Sequence, residues 1–285
     1  MTIAPSPVFL PTLPGRYYTD SAIFDAEQRK IFSRQWVYAC RAQDVPAAGR
    51  FVRVAVGGES VLVVRGRDAV LRAFLNVCRH RGATLCAADS GDVGRSIRCP
   101  YHSWSYRLDG SLRSAPNWGT MAATDKAGLG LHPVHVAEFH GLVWVNLAEC
   151  PEPLDDFLWA QLDYRLAGDR DKFERYHLAG LAGGRRIDYT VAANWKIIQE
   201  NFQECYHCAT IHPELVDTLP QFRDISALTG YVADGYHFAA TEACQPNMKS
   251  RSYAKGGILV PLEQEIIGRW YYDWYRASMD LGESL

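Results

Sequence analysis

Two short pairs of metal-binding side chains lie close together in this chain: Cys78-Arg79-His80 and Cys99-Pro100-Tyr101-His102. They read as Cys-x-His, a gap over residues 81–98, and Cys-x-x-His, so two loops supply two thiolates and two imidazoles. A 2Fe–2S cluster held by two Cys on one iron and two His on the other needs this set. Neutral imidazole in place of anionic thiolate eases reduction, giving potentials of roughly −150 to +300 mV against about −400 mV for all-Cys clusters of the plant type. Structural zinc can also take two Cys and two His, though usually as Cys-x₂₋₄-Cys with His-x₃₋₅-His rather than interleaved. Buried Cys and His that bind nothing are the plain alternative, set against the ordered pairing and the shaping of the loops by Gly82 and Pro100.

The runs Asn76-Val77-Cys78-Arg79-His80-Arg81-Gly82 and Cys99-Pro100-Tyr101-His102-Ser103-Trp104 resemble the Rieske domain of ring-hydroxylating oxygenase α subunits. The resemblance implies a Rieske-type 2Fe–2S cluster on Cys78, His80, Cys99 and His102.

A second constellation follows about a hundred residues later: Glu200-Asn201-Phe202-Gln203-Glu204-Cys205-Tyr206-His207, then His212-Pro213. Glu204 and His207 are three apart and share a helix face. On a continuing helix His212 would point about 140° from His207, but Pro213 disfavours helical geometry at the residue before it. The helix should loosen there and let both imidazoles turn to one point. Two His and one carboxylate on one face of a metal define the non-haem Fe(II) oxygenase site. A His-x₄-His pair alone is a weak signal, since such residues are more often solvated or packed.

The run from Asn194-Trp195-Lys196 to His212 resembles the catalytic motif of Rieske non-haem iron oxygenases, in which both His bind a mononuclear iron. The likeness spans about residues 16–215. It implies iron at His207 and His212, Asn201 as a further catalytic position, and Glu204 as the acidic residue that carries electrons between neighbouring subunits of a homotrimer. Most members have Asp at that position. Glu followed by Cys-Tyr-His-Cys is more similar to the branch oxidising quaternary ammonium compounds such as carnitine or glycine betaine. The family's third iron ligand, an Asp far downstream on a C-terminal helix, has no match, because neither Asp273 nor Asp280 sits in a segment like it. The catalytic part is therefore expected to be shortened. His132, His135, His140, His177 and His237 match no ligand position and read as structural.

The elements that must position these groups form an α+β chain. Residues 1–35 read as a proline-rich arm and a helix at about 21–35, with Asp25 and Gln28 as a capping box and Phe24, Ile31 and Phe32 as its apolar face. Residues 36–149 read as an all-β Rieske domain. Segments 51–56 and 61–64 flank Gly57-Gly58, 69–77 leads into the first ligand loop, 104–108 and 111–112 flank Asp109-Gly110, and 141–147 closes the region. Residues 150–285 read as a mixed, helix-grip-like catalytic domain. It has helices at 155–166 and from an Asn194 N-cap to about Cys208, and strands near 186–191, 230–240 and 268–276. The aromatic run Trp270 to Tyr275 suits cation–π binding of a quaternary ammonium, but core packing in a strand is the favoured reading.

Composition bounds the setting. A net charge of −2 over 285 residues argues against a nucleic-acid or anionic-membrane partner. No apolar stretch of membrane-spanning length and no signal-peptide pattern is present. Eight Cys without an export signal suit a reducing cytoplasm. Outside the two motifs, Cys40, Cys86, Cys150 and Cys244 are expected to be small buried hydrophobes. No Gly-rich nucleotide loop is present, so electrons must come from a separate NAD(P)H-dependent reductase, with or without a ferredoxin.

The resemblance thus implies a terminal oxygenase that uses O₂ to hydroxylate or N-demethylate a small quaternary amine. Ring dihydroxylation of an aromatic acid is the alternative within the family. A Rieske electron carrier without a working catalytic iron is the alternative outside it.

Overall fold

The computed structural model describes residues 10–117, 126–203, 213–218, 244–249, 258–259 and 263–281. The chain divides into two compact units, Gln28–Arg186, and Met1–Glu27 together with Ile187–Leu285. Helices α1 (Arg16–Thr19) and α2 (Ser21–Glu27) belong to the latter. Asp20 starts α2, its Oδ1 accepting from the Ala22 N–H at 2.8 Å. The expected capping box at Asp25 therefore lies inside the helix. Beyond Glu27 the chain widens into a π turn at Gln28–Phe32, where Ile31 is buried, while Phe24 stays exposed.

Among its described residues the Gln28–Arg186 unit holds ten strands. Seven form one antiparallel sheet: β1 (Val37–Arg41), β2 (Arg50–Val56), β3 (Glu59–Arg65), β4 (Leu71–Leu75), β5 (Ser90–Asp92), β9 (Pro133–Phe139) and β10 (Leu142–Asn146), in the order β1-β10-β9-β4-β3-β2-β5. A small sheet holds β6 (Ile97–Arg98), β7 (Ser105–Tyr106) and β8 (Leu112–Ser114). The β2–β3 hairpin pairs Val56 with Glu59 across Gly57-Gly58, both at positive φ, as a two-residue turn matched to strand twist requires. The β9–β10 hairpin closes the same way on His140 and Gly141, at φ 48 and 80.

Central strand β3 shows why this sheet is stable. Val61, Leu62, Val63 and Val64 are all fully buried, so both of its faces lie in cores. Leu62 and Val64 pack with Phe51, Phe74, Ile97, Tyr106 and the two motif cysteines. Val61 and Val63 pack with Val134, Val143 and Val145 on the other face. Each such side chain contributes about 1.5–3 kcal/mol by burial. Helix α3 (Leu154–Leu166) packs at β9 through Leu154, Trp36 and Phe139, and Trp36 Nε1 donates to Glu152 O at 2.8 Å.

In the other unit, α4 (Trp195–Gln203) begins at Asn194, whose Oδ1 accepts from the Lys196 N–H at 3.1 Å. Helix α5 (Glu263–Ser278) corrects the expected strand at 268–276. Tyr271, Tyr275 and Met279 are buried four residues apart, while Asp273 and Trp274 face outward. Aromatic β-propensity is context-dependent and yields to a helical face that can be buried. Tyr271, Tyr272 and Tyr275 of the run are core, as favoured, but helical core, while Trp274 is exposed. Residues 186–191 carry no regular structure, with Ile187 and Tyr189 exposed, because alternation alone supplies no partner strand. The expected strand at 230–240 lies outside the described residues. Cys40 is buried, Cys86 half-buried, and Cys150 and Cys244 exposed, so burial fails for the last two, which lie outside the packed cores. No helix among the described residues is long and apolar enough to cross a membrane.

Candidate metal centre

The two motif loops close by the same hydrogen bonds despite different ligand spacing. In the first, the Cys78 N–H donates to Ala83 O at 2.8 Å and the Gly82 N–H donates back to Cys78 O at 3.0 Å. In the second, the Cys99 N–H donates to Trp104 O at 2.7 Å and the Ser103 N–H to Cys99 O at 3.1 Å. The fifth loop residue turns left-handed in both, Gly82 at φ 71 and Ser103 at φ 61. Buried Asn76 braces the base of the first loop. Its Oδ1 accepts from the Cys86 N–H at 2.9 Å, and its Nδ2 donates to Cys86 O at 2.7 Å and Ser60 Oγ at 3.1 Å.

The loops sort the four donors by depth. Cys78 and Cys99 lie in the core at 2% exposure, whereas His80 is exposed and His102 half-buried. The imidazoles meet edge to face, with centroids 4.7 Å apart at 72°. Trp104 stacks on His80 at 4.9 Å and 6°, and Tyr101 lies against His102 at 3.7 Å. His102 Nδ1 is shut from solvent and has no hydrogen-bond partner among the described residues, a cost that a metal bond would remove. Desolvation, then the charges of His80 and Arg81, hold the His102 pKa below its ordinary value, which keeps its lone pair available. Two buried thiols beneath two outer imidazoles, one with an orphaned nitrogen, fit a 2Fe–2S cluster divided between Cys-bound and His-bound iron.

Tyr106 completes the inner half. Its Oη lies 3.3 Å from Cys78 Sγ and accepts from the Arg79 N–H at 3.0 Å. Burial, then the contact with Cys78, raises its pKa, so the phenol keeps its proton and would be the donor once Cys78 is a metal-bound thiolate, which can only accept. Nothing in the local pattern marked Tyr106, since the strand that carries it reads as ordinary core.

Four of the remaining histidines join no metal-binding group among the described residues. His132 contacts Arg79, His135 lies 3.0 Å from Glu149 O, and His140 packs among Phe139, Trp159 and Phe173 with Glu174 at 3.5 Å. His177 occupies a left-handed turn at φ 47. His237 lies outside the described residues, as do Glu204, His207 and His212.

The helix that leads toward those three, α4, is anchored by a network the sequence reading missed. Lys196 Nζ pairs with Glu27 Oε1 at 2.6 Å, both side chains fully buried. Trp195 Nε1 donates to Glu27 Oε2 at 2.8 Å, and Tyr275 Oη also donates to Glu27. One turn on, Tyr18 Oη donates to Glu200 Oε1 at 2.6 Å. Desolvation pushes the Glu200 carboxyl up to about 7, against the hydrogen bonds of Tyr18 and Tyr272 and the charge of Lys196. Asn201 lies half-buried beside it.

Family models agree with this arrangement. The Rieske [2Fe-2S] domain matches residues 35–127, and the ring hydroxylating alpha subunit catalytic domain matches residues 178–241. The glycine betaine monooxygenase oxygenase subunit of Pseudomonas aeruginosa is 38% identical over 217 residues, covering 75% of this chain and 48% of that protein. The carnitine monooxygenase oxygenase subunit of Escherichia coli K12 is 34% identical over 245 residues, 86% of this chain and 62% of that one. The chain thus spans about half to two thirds of the length of these relatives. In fold it resembles the crystal structure of the quaternary ammonium Rieske monooxygenase CntA with L-carnitine, at TM-score 0.76 and 24% identity over 95% of this chain and 96% of that chain. By sequence, then, the chain carries a Rieske [2Fe-2S] domain followed by ring-hydroxylating α-subunit catalytic-domain sequence.

Proposed function

We propose that the chain is the terminal oxygenase component of a Rieske non-haem iron system acting on a small quaternary amine. The observation that carries this reading is the depth-sorted donor set, with buried Cys78 and Cys99 beneath His80 and His102 and with His102 Nδ1 unpartnered. Relatives named for glycine betaine and carnitine support the substrate class.

In this reading Cys78, His80, Cys99 and His102 hold the 2Fe–2S cluster, and His207 and His212 hold a mononuclear iron. The cluster supplies one-electron transfer and the mononuclear iron supplies O₂ chemistry. The chain's own part is positional. Trp104 fixes the plane of His80, Tyr106 steadies Cys78, and the Glu27–Lys196 pair fixes the start of α4. Glu204 bridges electrons between subunits of a homotrimer, and Asn201 belongs to the catalytic helix. A separate NAD(P)H-dependent reductase is the electron source. The domain division is an arm and helix over 1–35, the Rieske domain over 36–149 and the catalytic part over 150–285. A cytoplasmic setting is supported by the six described cysteines, all of which are free.

The test is oxygen uptake by the reconstituted system with glycine betaine, carnitine and stachydrine against benzoate-like acids. Substrate-dependent uptake with the quaternary amines is expected. Coupling to aromatic acids alone would overturn the substrate class, and no coupling with any of them would overturn the oxygenase reading.

A further inference from the structure

Several turns of the cluster-bearing unit meet around a cavity of about 410 Å³ that the cluster does not use. Arg67 comes from the β3–β4 turn, Arg72 from β4 and Arg95 from the β5–β6 connection, while Arg107 and Arg113 come from the β7–β8 hairpin. Five guanidiniums share one concavity with two carboxylates, Asp68 and Asp109, leaving three formal positive charges.

Neither carboxylate is available to the rest. Asp68 is committed to Arg72, whose Nη1 and Nη2 donate to Oδ1 and Oδ2 at 2.9 and 2.7 Å. Asp109 closes its own hairpin, accepting from the Ser111 N–H and hydroxyl at 2.8 and 2.6 Å. Arg107 reaches Ser111 Oγ and Leu112 O, and Arg113 reaches Ser96 Oγ at 3.4 Å. These acceptors are neutral and offset no charge. Arg67 and Arg95 are exposed and hold no hydrogen bond or ion pair among the described residues.

The backbone makes room for this arrangement. Gly66 is buried at the cavity wall, where a Cβ would overlap Arg72 Nη1 and Asp68 Oδ1. The bare glycine lets that pair lie flat along the wall. Arginine forks match carboxylate and phosphate oxygens two at a time, which lysine cannot do. Convergence on a hollow of small-molecule size, rather than a flat basic face, suits a small ligand. The hollow is also set apart from the cluster loops, since Arg72 lies at the start of β4 and Cys78 three residues past its end.

We propose that this cavity binds a small polyanion carrying at least two phosphoryl or carboxylate groups, at a site separate from the cluster loops. Its three positive charges recruit the anion, and Arg67 and Arg95 supply the uncommitted forks.

The test is calorimetric titration of the full, cluster-loaded chain with inorganic pyrophosphate, with citrate, and with chloride at matched ionic strength. Saturable one-to-one binding is expected for at least one polyanion and not for chloride. The double substitution Arg67→Gln/Arg95→Gln is expected to weaken it at least tenfold, with cluster absorption and far-UV dichroism unchanged. Lys172→Gln, an exposed cation elsewhere on the unit, is expected to bind like the parent. If the double variant does not fold, Arg95→Gln alone carries the test, with weakening of at least threefold expected. Heats that chloride reproduces, binding of neither polyanion, or an arginine variant that binds like the parent would overturn the proposal.

Discussion

Lys196 and Glu27 form an ion pair at 2.6 Å in which neither side chain reaches solvent. It ties the last residue of α2 to the first turn of α4, the helix that leads toward Glu204 and His207. Glu27 also accepts from Trp195 and Tyr275, so its carboxylate is fully occupied. Lys196→Met leaves that carboxylate buried without its cation and is expected to cost about 3–5 kcal/mol. Urea unfolding followed by dichroism measures this, and a loss under about 1 kcal/mol would contradict the account. Lys196→Met with Glu27→Leu is expected to recover part of the loss, because a matched apolar pair carries no stranded charge.

Glu200 gives the same unit a pH dependence. Its pKa stands at about 7 in the fold against the ordinary 4.5, so between those values the native state holds a proton that the unfolded chain has released. Stability from this group is full below about pH 4.5 and is lost as pH rises to about 7. The loss is about 3 kcal/mol. The groups facing Glu200 are Tyr18 on α1, Tyr271 and Tyr272 on α5, and Lys196 on its own helix. Glu200→Gln is expected to flatten this part of the profile and to be more stable than the parent at pH 8. An unchanged slope in the variant would contradict the assignment.

Tyr106 is predicted to tune the cluster. A hydrogen bond donated to a ligand sulfur stabilises the extra negative charge of the reduced state, and such bonds help to set iron–sulfur potentials. Tyr106→Phe removes the donor to Cys78 and is expected to lower the midpoint potential with iron content unchanged. A potential that stays the same or rises would show that this contact carries no electronic weight.

The loop residues Gly82 and Ser103 predict substitutions of unequal effect. Both sit near φ +65, in the left-handed region, where a non-glycine residue costs roughly 1–2 kcal/mol. Gly82→Val is expected to lose at least that much and to lower cluster occupancy. Ser103→Gly is expected to fall within about 0.5 kcal/mol of the parent, because relief of strain offsets the lost contact with Arg98. Equal losses for the two would contradict the left-handed geometry.

What was legible in the sequence was local. The Cys-x-His and Cys-x-x-His spacings around Cys78 and Cys99 and the turns at Gly57-Gly58 and Asp109-Gly110 are short-range patterns. The Asn194 cap was readable for the same reason. Tyr271 and Tyr275 misled because aromatic residues suit a strand and a buried helix face alike, and only the packing partner decides. Glu27 and Lys196 could not be paired from sequence, since they lie 169 residues apart and no periodicity links them. The arginine cavity was equally hidden, because its members come from separate turns that only the sheet topology brings together.

The central claim is that one chain carries a Rieske-type cluster and a mononuclear iron. Iron, zinc and acid-labile sulfide counted per chain on the anaerobically purified protein test it most directly. The account predicts about three iron and about two sulfide, two of the iron belonging to the cluster at Cys78, His80, Cys99 and His102. About two iron with two sulfide would contradict the catalytic iron at His207 and His212, and zinc without sulfide would contradict the cluster itself.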